Sequence, residues 1–199
     1  MVGSPLCVDA KGSDNNTSDI TYDDYVADGG NQELEELVMD NELLSDAGDV
    51  QAIPDSSGTI PGGATYDIKD NEIIIHGGTI SGISNVNNWP WYNNRAYITR
   101  VVIDEPIVAY GSLEGMFGFL SRCEEITGIN NIDTSNVTNM SKMFQGCNRV
   151  KKLDLDGFDT SNVVDMSDMF DFCTLTEKID VSGFDTSKVT NMSNMFMGC

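Results

Sequence analysis

The chain has 199 residues, and its 32 acidic side chains outnumber its 11 basic ones, which gives a formal net charge of −21 at pH 7. This acidity argues against a nucleic-acid-binding protein, because nothing in the sequence resembles a basic stripe that could displace phosphate counterions. No run of about 20 apolar residues occurs, so we expect no membrane insertion within this segment.

Residues 1–60 form a distinct acidic region. They contain 14 acidic residues and one base, Lys11. A segment of this composition repels itself and has few apolar anchors, so we predict a largely disordered spacer. Apolar residues at helical spacing, among them Leu34, Leu37 and Leu44, leave a short helix over 32–44 as an open alternative.

Residues 61–110 have the pattern of a β-rich N-terminal cap for the segment that follows. Two short stretches with apolar residues, 66–68 and 72–75, are separated by Lys69-Asp70-Asn71 and predict a hairpin. The stretch 98–103 predicts a further strand. Trp89-Pro90-Trp91 has two interpretations, a plug inside the cap or an exposed platform for stacking sugars, and we favour the plug.

The last third of the chain repeats one phrase three times at a fixed period of 26 residues. The phrase begins with Asp-Thr-Ser at Asp133, Asp159 and Asp185 and leads each time to a Met-Phe pair. This period is typical of proteins whose repeats bury their apolar faces against one another. We refer to residues 133–158, 159–184 and 185–199 as copies 1, 2 and 3.

Within the repeat, we predict a strand, a cap and a short helix. Leu153 and Leu155 alternate with polar residues, as in a strand with one buried face. Met166, Met169 and Phe170 recur at three and four residues, as in one or two turns of α or 3₁₀ helix. The preceding Asp-Thr-Ser offers oxygens that can cap free amides. These features predict an α/β repeat solenoid of leucine-rich-repeat type over 111–199, with one parallel strand and one short helix per coil. The predicted core comprises Met143, Phe144, Cys147, Leu153, Leu155, Met169, Phe170, Cys173, Met195 and Phe196.

The repeat motif carries a family resemblance. The string DTSNVTNMSKMFQGC, its two sequels and the upstream strings IIIHGGT, NNWPW and ITRVVIDEPIVA resemble the BspA-like leucine-rich-repeat surface proteins of bacteria, a family also seen in mycoplasma lipoproteins. The resemblance covers roughly residues 64–199. It implies a repeat array displayed on the cell surface, and it implies adhesion to host matrix or to other cells.

The alternation that buries the strand leucines leaves polar residues on the opposite face of the sheet. This open face is predicted to carry short ladders, with Lys152 over Lys178 and Asp154 over Asp180. Rigid polar groups of this kind suit partner recognition. The candidate partner-binding residues are Lys152, Asp154, Asp156, Lys178, Asp180 and Ser182.

Other chemistry has weaker support in the sequence. Cys147 and Cys173 recur at the repeat period and could form a disulfide ladder, but we favour buried thiols, because Leu120 fills the equivalent earlier position. Asp154, Asp156 and Asp159 resemble part of a calcium loop, yet copy 2 replaces the middle carboxylate with Ser182. His76 has no nucleophile at a catalytic spacing. We therefore predict no cofactor and no resident metal.

These features predict a non-catalytic recognition or adhesion module at the bacterial cell surface, with a surface protein or glycan of a host or neighbouring cell as its partner. Two alternatives stay open, a structural stalk and a targeting module of a longer surface protein or enzyme. Residues 1–30 contain no apolar run long enough for a signal peptide, and the sequence stops at Cys199 inside a repeat. We therefore expect a piece of a longer protein whose signal and anchor lie outside it.

Overall fold

The computed structural model describes residues 52–199, which lie within one compact unit, Val50–Cys199. Residues 1–51 of the predicted spacer, including the helix considered over 32–44, lie outside the described residues, so those predictions stay untested. The strands of the described part are β1 Ser56–Thr59, β2 Thr65–Lys69, β3 Glu72–Ile75, β4 Gly78–Ile80, β5 Arg100–Ile103, β6 Ile107–Ser112, β7 Glu125–Thr127 and β8 Ile132–Asn139.

The five-stranded sheet A has the strand order β1-β2-β3-β5-β7. Strands β1, β2 and β3 pair in antiparallel fashion, whereas β3, β5 and β7 pair in parallel. The predicted hairpin is confirmed, because β2 and β3 meet in the register Lys69 to Glu72 around Asp70 and Asn71, whose φ angles are 50° and 63°. Asp and Asn tolerate this left-handed conformation, which two-residue hairpins require.

Sheet B contains the parallel strands β4, β6 and β8. Strand β8 includes Asp133, Thr134 and Ser135, the residues predicted to cap a helix at the start of copy 1. Isolated parallel bridges continue the same edge from Asn139 to Asp165 and from Asp165 to Asn191. The beginning of copy 1 is therefore part of a sheet.

The predicted leucine-rich-repeat solenoid of alternating strands and helices is wrong. Residues 52–199 form two sheets joined by turns and by the short 3₁₀ helices Val86–Asn88, Tyr92–Tyr97 and Ile129–Asn131, with no α-helix among them. In the segment predicted to be helical, Asp168 and Phe172 have φ angles of 56° and 55°. Left-handed residues interrupt the uniform dihedral angles of an α-helix, so this segment forms a series of turns instead.

These turns satisfy their backbone groups by pairing with the neighbouring copy. In one series the phenylalanine N–H groups donate to methionine carbonyl oxygens of the next copy. The series comprises Phe117 to Met143 at 2.9 Å, Phe144 to Met169 at 2.9 Å and Phe170 to Met195 at 3.0 Å. The rings of Phe144 and Phe170 stack with their centroids 5.7 Å apart. A side-chain spacing that resembles a helix thus arises from turns repeated in register.

Trp89 and Trp91 cover the end of this hydrogen-bonded series that precedes copy 1. Their side chains are buried, and their rings stack with centroids 5.2 Å apart. The indole N–H of Trp89 donates to the carbonyl oxygen of Glu114 at 2.8 Å, and that of Trp91 donates to Met116 at 2.8 Å. The plug interpretation is confirmed, and the alternative of an exposed sugar-stacking platform is wrong.

The hydrophobic core runs through both sheets and the turn segments. Nine of the ten residues predicted for the core are buried: Met143, Phe144, Cys147, Leu153, Leu155, Met169, Phe170, Cys173 and Met195. Phe196 differs, because its exposed fraction is 41%. It stacks on Phe170 with centroids 5.5 Å apart, and no described ring covers its other face.

Candidate partner-binding site

The six candidate residues lie on equivalent segments of copies 1 and 2. A parallel bridge pairs Lys152 with Lys178, which is the register that the sequence predicted for this ladder. The amide N–H of Glu177 also donates to the carbonyl oxygen of Lys151 at 3.1 Å. Main-chain pairing therefore holds the two lysine positions side by side.

The hydrophobic core supports this segment from beneath. Leu153 and Leu155 each have an exposed fraction of 4%, whereas Lys152, Asp154 and Asp156 are exposed. In copy 2, Ile179 and Val181 are partly buried and pack against the core. Buried and exposed side chains therefore alternate in copy 1, whereas in copy 2 Asp180 is partly buried like its apolar neighbours and only Lys178 and Ser182 are exposed.

Copy 2 contains a preformed polar cluster of Lys178, Asp180 and Ser182. The Nζ atom of Lys178 lies 2.8 Å from Oδ2 of Asp180. The other carboxylate oxygen of Asp180 accepts hydrogen bonds from Ser182, at 3.1 Å from the amide N–H and 2.6 Å from the hydroxyl. The hydrogen bond from Lys178 and those from Ser182 hold the pKa of Asp180 well below its usual value.

The pKa of Lys178 shifts in the opposite direction and is raised. Asp180 raises the pKa of Lys178, first through their hydrogen bond and then through its charge, and Asp156 of copy 1 adds to this shift. Both ends of the pair are therefore charged at neutral pH. In copy 1 the turn is looser, since the amide N–H of Asp156 lies 3.5 Å from Oδ1 of Asp154.

A second polar cluster was not anticipated from the sequence. His76, at the end of β3, has Nδ1 2.9 Å from Oδ2 of Asp104 and Nε2 3.2 Å from Oδ2 of Asp67. The hydrogen bond with Asp67 and the two nearby carboxylates raise the pKa of His76 above its ordinary value, although partial burial opposes them. The aspartates lie 9 and 28 residues away, so no local motif could reveal the cluster.

The carboxylates considered for calcium make local contacts. Oδ1 of Asp159 accepts from the amide N–H of Ser161 at 2.9 Å, which is the geometry of an Asx turn. In residues 52–199, no group of three or more His, Cys, Asp or Glu side chains is arranged to hold a metal ion. None of the helices in this range has the length and apolar character needed to cross a membrane.

The repeated cysteines are buried thiols that donate hydrogen bonds. The Sγ atom of Cys147 lies 3.1 Å from the carbonyl oxygen of Phe117, and that of Cys173 lies 3.2 Å from the carbonyl oxygen of Phe144. Neither cysteine is in a disulfide. The contact adds a polar role to the small apolar side chain that the sequence predicted at this position.

Comparison with known proteins gives one similarity. Residues 111–199 match the model of a family described as "Mycoplasma protein of unknown function, DUF285". No curated protein and no solved structure matches the chain. The match covers all three copies but less than half of the 199 residues. The repeat region is thus similar to a mycoplasma protein family. This match does not confirm the resemblance to BspA-like leucine-rich-repeat proteins.

Proposed function

We propose that this chain is a non-catalytic recognition module that acts at a bacterial surface and binds a protein or glycan partner through the exposed face of copies 1 and 2. The contact that carries the proposal is the bridge between Lys152 and Lys178, with Asp180 paired to Lys178 at 2.8 Å. The bridge and the ion pair hold the charged groups of this face in fixed relative positions. The similarity to a mycoplasma family supports the bacterial setting.

Fixed charges favour binding because they reduce the conformational freedom that a partner must remove. The main chain of the face is held by pairing between copies, and Asp180 is oriented by Ser182. Side chains that are already ordered lose less entropy on association. Lysines and aspartates in alternation also favour a partner with the complementary pattern of charges.

The proposal is tested by reversing the charges of the face. The variant Lys152→Glu, Asp154→Lys, Lys178→Glu and Asp180→Lys keeps the net charge, and we expect it to lose binding to epithelial cell layers and to immobilised glycans. Because Asp180 also caps the turn at Ser182, a second variant uses Lys152→Gln, Asp154→Asn, Lys178→Gln and Asp180→Asn. Asparagine at 180 retains an oxygen for that cap.

A matched control reverses two exposed charges outside the face, Asp55→Lys and Lys69→Glu, again with no change in net charge. We expect the control to bind like the parent chain, and we expect circular dichroism and melting temperature to show that all variants are folded. The proposal is wrong if the parent binds neither cells nor glycans. It is also wrong if both face variants fold and bind as well as the parent.

A further inference from the structure

Gln145 and Asp171 occupy the same position in copies 1 and 2, directly after the stacked Phe144 and Phe170. Both are buried, with exposed fractions of 6% and 1%. The Nε2 atom of Gln145 donates to Oδ2 of Asp171 at 3.0 Å. The carbonyl oxygen of Asp171 also accepts from the amide N–H of Gly146 at 2.8 Å. This pair is therefore part of the contact between copies 1 and 2.

Each side chain of the pair retains one buried oxygen without a hydrogen bond. These atoms are Oε1 of Gln145 and Oδ1 of Asp171, and neither has a partner within residues 52–199. An amide oxygen and an ionised carboxylate oxygen are both acceptors, so they cannot satisfy each other. A buried acceptor without a donor is costly, and more so when it is charged.

A single proton on the carboxyl group of Asp171 can give both of these oxygens a hydrogen bond. If Oδ1 of Asp171 carries a hydrogen, it can donate to Oε1 of Gln145 while Oδ2 continues to accept from Nε2. The two side chains then form a reciprocal acid–amide pair. The same arrangement of donors and acceptors is available to asparagine at position 171, because its Nδ2 group donates and its Oδ1 accepts.

The groups around Asp171 shift the pKa of its carboxyl group in opposite directions. Burial raises the pKa of Asp171, and the charge of Asp168 adds to this increase. The hydrogen bond from Gln145, the nearby amide N–H of Phe172 and the charge of Lys142 lower the pKa, and the combined result is a pKa of about 7. Burial is the largest of these effects. The carboxyl group therefore favours its neutral form in mildly acidic solution.

We propose that Asp171 is protonated in the folded chain under mildly acidic conditions, that its proton completes a reciprocal pair with Gln145, and that release of this proton to solvent weakens the contact between copies 1 and 2. These are the copies that carry Lys152 and Lys178, but the proposal does not depend on any binding function. The contact between copies 1 and 2 is then sensitive to the protonation of Asp171.

The direction of the pH effect follows from linkage. Because the pKa of Asp171 is higher in the folded chain than its ordinary value of 3.8, the folded state holds a proton that the unfolded state has lost. The stabilisation is complete below pH 3.8, decreases as the pH rises, and reaches a plateau above about pH 7. Within this interval the unfolding equilibrium constant rises by about tenfold per pH unit from this group alone.

Urea unfolding of the parent chain and of Asp171→Asn between pH 4.5 and 8.5 tests the proposal. We expect the ratio of the two unfolding constants to change with pH in favour of Asp171→Asn, by at least tenfold overall, and to become constant above about pH 7. The exposed Asp55→Asn variant is the matched control, and its ratio to the parent should not change over the same range.

Infrared spectroscopy of the folded parent chain supplies a second measurement that does not rely on a variant's stability. We expect the carbonyl band of a protonated carboxyl group at pH 5.5, its loss on titration through pH 7, and its absence from Asp171→Asn. A parent chain without this band at pH 5.5 would overturn the proposal. So would a pH-independent stability ratio between the parent and Asp171→Asn.

Discussion

The hydroxyl group of Thr134 exchanges two hydrogen bonds with the main chain of Asp159 in the next copy. It donates to the carbonyl oxygen at 3.0 Å and accepts from the amide N–H at 2.9 Å. Thr160 repeats this exchange with Asp185 at 3.1 and 2.8 Å. Thr134 and Thr160 are buried, so water does not readily replace the hydroxyl. The threonine of the repeated phrase therefore joins consecutive copies.

Replacing either buried threonine by valine should destabilise the fold. Valine keeps the branched shape but removes the hydroxyl, which leaves one partly buried N–H and one partly buried carbonyl oxygen of the next copy without their partner. Each unsatisfied group costs about 1–3 kcal/mol. We expect Thr134→Val and Thr160→Val to lower the free energy of unfolding accordingly, as measured by urea titration.

Copy 3 provides the control for these variants. Thr186 occupies the equivalent position but is exposed. We expect Thr186→Val to change the free energy of unfolding by less than about 0.5 kcal/mol. Equal losses from all three substitutions would show that the valine side chain itself, and not the shared hydroxyl, causes the destabilisation.

Met169 tests the packing between copies. Its side chain is fully buried, so Met169→Ala should cost on the order of 2–5 kcal/mol through lost contacts and a cavity. The neighbouring Asp168 has a φ angle of 56°, and alanine in left-handed backbone adds strain of roughly 1–2 kcal/mol. Asp168→Asn is therefore a better control than Asp168→Ala, because asparagine tolerates this conformation. Comparable, small losses from Met169→Ala and Asp168→Asn would contradict the assigned packing.

The sequence predicted those features that depend on period and polarity. The 26-residue spacing identified the copies, and the alternation around Leu153 and Leu155 identified the buried side of the segment. The break at Lys69-Asp70-Asn71 between two short apolar stretches identified the hairpin. Each of these signals is local. Each is also tied directly to burial or to a backbone conformation that few residue types tolerate.

The sequence did not distinguish a helix from repeated turns. Met166, Met169 and Phe170 are buried at spacings of three and four residues in either structure. The difference lies in left-handed backbone at Asp168 and Phe172, and phenylalanine gives no signal for that conformation. The His76 cluster was equally hidden, because its carboxylates come from distant positions.

His76 should titrate at a higher pH than an ordinary histidine. The hydrogen bond with Asp67 is the main cause of its raised pKa, and Asp104 contributes as well. Because the pKa is raised on folding, the stabilisation is fully present below pH 6.5 and is lost as the pH rises through the folded-state pKa. Since His76 is the only histidine, one pair of ring resonances in an NMR titration reports its pKa directly.

The substitutions Asp67→Asn and Asp104→Asn should each lower the measured pKa of His76, with the larger decrease for Asp67. Lys69→Gln, at the exposed end of the same strand β2, is the control and should leave the titration almost unchanged. A parent pKa at or below 6.5 would contradict the assignment of a charged histidine held between two carboxylates.

The buried cysteines should be unreactive while the protein is folded. Burial raises the pKa of Cys123 to about 12, and burial also raises the pKa values of Cys147 and Cys173. Because the thiolate is the reactive form, we expect iodoacetamide at pH 8 to modify these three residues only after unfolding. Peptide mass mapping resolves the sites, and Cys199, which is less buried, should be modified faster in the folded chain.

Because these cysteines are thiols and not disulfides, we expect a reducing agent to have little effect on stability. Cys147 and Cys173 donate to the carbonyl oxygens of Phe117 and Phe144, so the folded state requires their hydrogens. Cys173→Ala should fold with a modest loss, because alanine leaves one carbonyl oxygen without its donor, and Cys173→Val should also fold. Adding dithiothreitol should leave the melting temperature unchanged. A decrease of many degrees on reduction would mean that the cysteine ladder is oxidised, since removal of a structural disulfide typically costs about 2–5 kcal/mol.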